Sequence, residues 1–250
     1  VMKLLLIDNS NTRTKFALSE PGGGLVESFW IPTAEISQER LNGALAELKF
    51  EASLVCSVVP EKREIIEQAV SAHGELHRLT HQSPLGLGID YPNPANIGAD
   101  RLANAVGVTD RHGAPAIVID FGTAVTFDVI SSEPAYAGGV IAPGLGAMSD
   151  YLGRKTALLP QIELDEPATA IGKSTQAAMQ AGAVIGYRGL VREILQALRS
   201  EMTGPVKAIA TGGDAALIAK GVSEIDAVDP ELTLHGLELV ARRVFDQNRG

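Results

Sequence analysis

Apolar residues run unbroken from Leu4 to Ile7 and meet Asp8; Asn9, Ser10, Asn11 and Thr12 follow, and apolar positions then resume. A continuous apolar run closed by a polar turn predicts a strand buried on both faces, hairpin-linked to the next. The pattern recurs. Set "LLLIDNSNTRTKFAL" (residues 4–18) over "AIVIDFGTAVTFDVI" (residues 116–130), and Asp8 falls on Asp120, Ser10 on Gly122 and Thr14 on Thr126, an offset of 112. A turn-rich segment and a third strand follow each copy, "EPGGGLVESFWI" in one and "SSEPAYAGGVIAPG" in the other. Matched order at half the chain length points to an internal duplication.

Beyond each triplet of strands the period changes. "TAEISQERLNGALAELKF" and "EKREIIEQAVSAHG" read as helices around the strand "ASLVCSVVP". In the second half a long helix covers "STQAAMQAGAVIGYRGLVREILQALRSEM", the strand "VKAIATGG" and the helix "DAALIAKG" follow, and "LHGLELVARRVFDQ" closes the chain as an amphipathic helix. Strands alternating with helices, opened by hairpins, predict an α/β fold of two similar halves, each a mixed five-stranded sheet flanked by helices. The expected domains are residues 1–110 and 111–250, divided where "TDRHGAPA" breaks the helical pattern.

The composition fits that picture and excludes others. Of 250 residues 45% are hydrophobic and 20% charged, enough to build two cores. A net charge of -9 with no basic stripe argues against a nucleic-acid partner. No apolar run approaches the ~18 residues of a membrane span, and no secretory leader is visible, so a cytoplasmic protein is expected. Cys56, alone in an apolar run, reads as a buried strand cysteine. Val1, ahead of Met2, is expected to be a cloning remnant.

Two Asp-bearing turns suit a polyphosphate. Small residues let backbone N–H groups approach phosphate oxygens, Thr hydroxyls add donors, and each carboxylate can hold a cation beside the phosphates. In "TGGDAALI" (residues 211–218) a strand ends in two glycines before a helix, a junction against which a nucleotide can lie. "YPNPANIGADRLANAVG" (residues 91–107) enters a helix near Ala99, placing Asp100 and Arg101 at its start. A carboxylate and a guanidinium there fit a base and an anion clamp, and fit equally a helix-dipole partner beside a surface cation. Three patterns carry less. "PATAIGKST" ends like a P-loop but has Pro167 at its first required Gly; "GLGAMS" lacks the third glycine of a dinucleotide fingerprint; His73, His77 and His81 share a helical spacing that Gly74 interrupts.

Together and in order, these motifs resemble the type III pantothenate kinases, members of the superfamily of sugar and acetate kinases, heat-shock chaperones and actin. The resemblance runs from Lys3 to the last helix. The family's first phosphate turn, Asp-x-Gly-Asn-Thr/Ser, is similar to Asp8–Thr12. Its Gly-x-Asp-Arg substrate motif is similar to Gly98–Arg101, and Asp120–Thr126 matches its second phosphate motif, Asp-x-Gly-Thr-Ala-x-Thr. "GGVIAPG" and "GKSTQAAMQAG" are similar to further family segments.

The resemblance implies the actin-like ATPase (ribonuclease H-like) fold with the active site in a cleft between the halves. It also implies ATP-dependent phosphorylation of the primary hydroxyl of pantothenate to 4'-phosphopantothenate, the first step of coenzyme A biosynthesis, by direct in-line transfer. Asp100 would be the general base. Tyr91, Gly98, Ala99, Asp100, Arg101 and Thr175 would bind pantothenate. Asp8, Asn9, Ser10, Asn11, Thr12, Arg13, Thr14 and Lys15, with Thr123, would bind ATP, and Asp120 would hold a monovalent cation, K+ or NH4+. Mg2+ would accompany ATP, and the enzyme would be a homodimer with the substrate site near the subunit interface. One position departs from the family: Ser10 stands where the first turn has Gly, adding a Cβ that restricts φ and a hydroxyl able to donate to phosphate. Rival readings are a kinase or phosphohydrolase of the same superfamily acting on another small substrate, and a catalytically silent regulatory relative. The second would be marked by loss of Asp100 or Asp120, and both are present.

Overall fold

The computed structural model describes residues 2–247; Val1 and residues 248–250 lie outside the described residues. The chain forms two compact units, residues 2–111 with 231–247, and residues 112–230.

In the first unit, β1 (Leu4–Asn9), β2 (Arg13–Ser19) and β3 (Leu25–Pro32) form an antiparallel meander, and β4 (Ala52–Ser57) and β5 (Glu75–Arg78) add in parallel, giving the order β3-β2-β1-β4-β5. A short strand, β6 (Gly88–Ile89), precedes α3 (Ala99–Arg111). All six residues of β1 are buried, as its unbroken apolar run requires. Leu5 and Ile7 join Phe16, Leu18 and Ile31 in one core with Leu41 and Leu45 of α1 (Gln38–Leu45) and Ile66 and Val70 of α2 (Pro60–Ser71). Helix α1 is shorter than its sequence pattern suggests. Thr33–Glu35 forms a 3-10 turn, and Ser37 then caps α1 by accepting from the Arg40 N–H at 3.2 Å.

The second unit repeats the topology. Strands β7 (Ala116–Phe121), β8 (Ala124–Ile130) and β9 (Ala135–Pro143) form the meander, and β10 (Lys207–Gly212) and β11 (Ala227–Val228) add in parallel, in the order β11-β10-β7-β8-β9. Helix α4 (Leu145–Lys155) follows β9, the 27-residue α5 (Thr175–Glu201) packs Val184, Tyr187, Val191 and Leu195 into the core, and α6 (Ala215–Ala219) follows β10. Apolar residues at Leu145, Met148 and Leu152 are the periodic signal for α4, masked in the sequence by Gly146 and Gly153.

Two readings change. The last helix, α7 (Leu232–Gln247), packs on α3 (Ala99–Arg111), β1 and β4, so the expected second domain of residues 111–250 gives up its final helix to the first unit. Gly236 and Gly107 make this crossing possible: a Cβ on Gly236 would collide with the Ala103 carbonyl, and one on Gly107 with that of Leu232. The ungapped offset also fails within the turn. Asp8 pairs with Lys15 across its hairpin, whereas Asp120 pairs with Thr126. From Leu4 to Ala116 the offset is 112; from Arg13 to Ala124, and from Pro32 to Pro143, it is 111. The first turn therefore holds one extra residue. Ser10 N–H bonds to Arg13 O (3.2 Å) where Gly122 N–H bonds to Ala124 O (3.0 Å), which makes Asn11 the insertion and puts Lys15, not Thr14, opposite Thr126.

Candidate active site

Strand β1 delivers Asp8 to the sheet's edge of turns, where it is 4% exposed. Its Oδ1 accepts from Ser10 Oγ at 3.0 Å, and its Oδ2 lies 3.8 Å from Lys15 Nζ. Asn9 is fully buried; its side chain donates to Thr14 Oγ1 (2.8 Å) and accepts from Ser57 Oγ (2.6 Å) at the end of β4. Thr33 props the turn from beyond β3, its hydroxyl donating to Ser10 O at 2.7 Å and its N–H to Thr12 O at 3.0 Å. Asn11, Thr12 and Arg13 are exposed, and the Arg13 guanidinium stacks 4.6 Å over the Trp30 ring. Hydrogen bonds thus tie Asp8, Asn9, Ser10, Thr12, Arg13 and Thr14 of this turn to one another or to Thr33 and Ser57. Ser57 and Thr33 were not legible as supports, because they come from the end of β4 and the turn after β3, far away in sequence.

No non-glycine residue described has a positive φ, so Ser10 sits in ordinary backbone and its Cβ imposes no strain. The expected restriction does not arise. Its hydroxyl is directed at Asp8.

The second turn is built from glycines. Asp120 stands one residue before the end of β7 and is partly buried, and Gly122 and Thr123 are exposed. Gly144 N–H bonds to Thr123 O at 3.0 Å, the counterpart of Thr33 N–H on Thr12 O, and a Cβ on Gly144 would stand 2.5 Å from that same oxygen. Gly212 adopts φ 93°, and a Cβ there would lie 2.6 Å from Asp120 Oδ1 and 2.5 Å from Phe121 O. Of the two glycines of "TGGDAALI", Gly212 thus serves a close approach to β7, whereas a Cβ on Gly213 would meet nothing within 4 Å. Helix α6 behind them has five residues, too few for a strong terminal dipole. Tyr187 packs near Phe121, donates to Pro143 O at 3.1 Å, and has its hydroxyl pKa pushed up by burial and, less, by the Asp214 charge.

Asp100 lies in the first turn of α3, where Oδ1 accepts from the Arg101 N–H at 2.9 Å. Gly98 makes room for it: a Cβ there would be 2.5 Å from that oxygen. Leu102 N–H bonds to Gly98 O at 3.2 Å, starting the helix. Gly98, Ala99, Asp100 and Arg101 are all partly buried, and Tyr91 is exposed in the preceding loop. A carboxylate held at a helix's positive end beside a guanidinium can accept a proton and attract an anion.

Tyr91, Gly98–Arg101 and Asp8–Lys15 belong to the first unit; Asp120, Thr123 and Thr175 belong to the second. Thr175 is exposed at the start of α5, after the Ser174 cap, and lines an apolar cavity of about 470 Å³ with Met148, Leu152 and Met179. The P-loop-like segment resolves into that cap. The three histidines do not assemble: α2 stops at Ser71, and His77, on β5, bonds Ser83 Oγ at 2.9 Å with its pKa lowered by burial. Among the described residues no group of three or more His, Cys, Asp or Glu is placed to hold a metal, and no helix is long and apolar enough to cross a membrane.

The fold resembles that of the ethanolamine utilization protein EutJ from Carboxydothermus hydrogenoformans, with a TM-score of 0.57 at 16% identity over 96% of this chain and 90% of that one. In sequence the chain is 57% identical over 240 residues to a type III pantothenate kinase from Akkermansia muciniphila, covering 96% of this chain and 98% of the relative. It is 42% identical over 249 residues to a type III pantothenate kinase from Methylacidiphilum infernorum, covering 98% and 90%. The family model for type III pantothenate kinase matches residues 4–197, which include both Asp-bearing turns, the Gly98–Arg101 segment and the start of α5. The chain belongs to the type III pantothenate kinase family.

Proposed function

We propose that the chain transfers the γ-phosphoryl group of ATP directly to the primary hydroxyl of pantothenate, with Asp100 as general base. The observation that carries this reading is the Asp100 carboxylate, fixed by the Arg101 N–H and given space by Gly98. A base so held can take the hydroxyl proton as the oxygen attacks, while Arg101 attracts the substrate carboxylate or the migrating phosphoryl group. Tyr91, Gly98, Ala99 and Thr175 complete the pantothenate set. The turn from Asp8 to Lys15 and Thr123 take ATP. Phosphoryl transfer rests on positioning and charge stabilisation, so no covalent enzyme intermediate is required.

The donor set fits cations shared with the nucleotide. Mg2+ is commonly bound through one or two carboxylates plus substrate phosphates and water, which suits the buried Asp8 better than an all-protein cage would. Asp120, pressed by Gly212, would hold K+ or NH4+. These ions supply positive charge against the phosphate oxygens; the chain's own groups orient the nucleotide and move the proton. By the same resemblance the enzyme is a homodimer, checked by sedimentation at twice the chain mass. The exposed Ala178, Gly182 and Gly186 on α5 leave a smooth face open to close approach.

The test is ATP-dependent phosphorylation of pantothenate in potassium and in sodium, beside Asp100→Asn. Turnover that needs potassium and falls by about 100-fold or more in the variant is the expected outcome. A folded protein with no turnover in either buffer would overturn the reading.

A further inference from the structure

The first phosphate turn holds a side chain whose use differs from that expected of it. Ser10 is fixed at both backbone polar groups: its N–H donates to Arg13 O at 3.2 Å, and its carbonyl accepts from Thr33 Oγ1 at 2.7 Å. With the main chain pinned, only χ1 remains to aim the hydroxyl, and it donates to Asp8 Oδ1 at 3.0 Å. Lys15, directly across the hairpin, lies 3.8 Å from the other oxygen. Asp8 is thus gripped on both oxygens by neighbours in its own loop, in a site that is 4% exposed.

The second turn is the control. Gly122 occupies the place of Ser10, its φ is also outside the left-handed region, and a Cβ there would meet Ala124 O at 3.4 Å, an ordinary contact. Neither backbone conformation nor space accounts for serine in one turn and glycine in the other. What differs is the hydroxyl, and in the first turn it is spent on the carboxylate.

We propose that Ser10 is a positioning residue for the divalent cation that accompanies ATP: by holding Asp8 Oδ1 it fixes the carboxylate's rotation before nucleotide arrives. Outer partners that orient a metal-binding group commonly change metal affinity by roughly 10–100-fold when removed. Ordering the carboxylate in advance also removes part of the entropy cost of binding. The inference rests on the assignment of the Asp8–Lys15 turn to ATP, and it assigns the Ser10 hydroxyl to the cation's ligand and not to phosphate.

The experiment is calorimetric titration of ATP into the full chain without pantothenate, in excess Mg2+ and in EDTA, for the native protein and for Ser10→Ala, Ser10→Gly and Ser10→Thr. Expected are a roughly tenfold weaker dissociation constant for MgATP in the alanine and glycine variants, metal-free ATP binding within about twofold of native, and recovery of most of the loss in the threonine variant. Equal weakening with and without Mg2+ would overturn the proposal, because it places the hydroxyl on phosphate. MgATP binding that is unchanged or tighter in Ser10→Ala and Ser10→Gly would overturn it too, while leaving the nucleotide turn intact. A native chain that binds no ATP in either condition would remove the turn assignment and this inference with it. Thermal midpoints measured on the same samples separate a misfolded variant from a folded one, and the Ser10→Thr arm keeps the comparison on a folded chain.

Discussion

Place the two Asp-bearing turns over each other with the one-residue gap at Asn11, and three positions differ in the same way. Ser10 faces Gly122, Thr33 faces Gly144, and Ser57, paired with Asn9, faces Gly212, paired with Phe121. In the first turn each hydroxyl bonds to the loop: Ser10 to Asp8, Thr33 to Ser10 O, Ser57 to Asn9. In the second, glycine lets backbone come where a side chain would stand, and at Gly144 and Gly212 a Cβ has no room. One turn is propped by side chains; the other is pressed together by bare main chain. The same topology thus yields one turn whose carboxylate is held from within, by Ser10 and Lys15, and one whose carboxylate is paired with Thr126 across its hairpin. On the roles proposed above, the first carboxylate would serve the divalent ion that accompanies ATP and the second a monovalent ion.

Converting the turns into each other should be far costlier in one direction. Gly144→Thr, which writes the first turn's residue into the second, forces a Cβ to 2.5 Å from Thr123 O. A loss of about 3 kcal/mol or more is expected, read as a fall in thermal midpoint of roughly 6 °C or greater, or as insoluble protein. A midpoint unchanged by this substitution would break the contrast. Thr126→Lys places an ammonium where Lys15 stands in the first turn, and on the proposed role of Asp120 it replaces the monovalent ion. The ratio of rates in potassium and sodium should fall towards one, whatever happens to the absolute rate. The reverse edit is mild: Ser57→Ala removes the hydroxyl that donates to buried Asn9 and accepts from the Val59 N–H, and should cost about 1–2 kcal/mol in denaturant unfolding.

Acid should also distinguish the units. His77, in the first, has a folded-state pKa below its ordinary 6.5, so its contribution is present above that pH and is lost as pH falls. In the second unit, Glu166 is lowered from 4.5 chiefly by its hydrogen bonds to Arg188, at 2.6 and 2.8 Å, so its contribution is lost only below about that value. Melting curves from pH 7 to 5 should therefore soften in the native chain and stay flatter in His77→Gln, whereas Glu166→Gln should lower the midpoint above pH 4.5 and converge with the native chain as pH falls below it. This is the smallest of the effects.

Much of this architecture could be read from the chain. The apolar runs into Asp8 and Asp120 forecast buried strands because a central strand must be apolar on both faces, and Gly98–Arg101 marked the start of α3 through its breakers and first-turn acid. The inserted Asn11 could not be read, since an extra polar residue in a polar turn leaves no trace in hydropathy. Yet strands alternate faces every residue, so this single slip set Thr14 over Thr126 where Lys15 belongs. Helix α7 was legible as amphipathic but not as the first unit's, because an apolar stripe does not name the surface it covers. Its partner was settled by Gly107 and Gly236, two glycines that only a helix crossing explains. The hydroxyl props were hidden for the same reason: Ser57 and Thr33 reach the turn only once β3 and β4 are in register.

The route of the chain has a consequence for biogenesis. It leaves the first unit after Arg111 and re-enters it at Glu231, so the second unit is an insertion between α3 and α7. During translation, residues 112–230 are complete while the first unit still lacks the helix that covers β1, β4 and α3. Domains ordinarily mature in the order in which they emerge from the ribosome. Here the later half can finish first, and the earlier half, with Gly107 bare and the Ser19 hydroxyl awaiting Glu238 and Arg242, closes only when the last helix arrives.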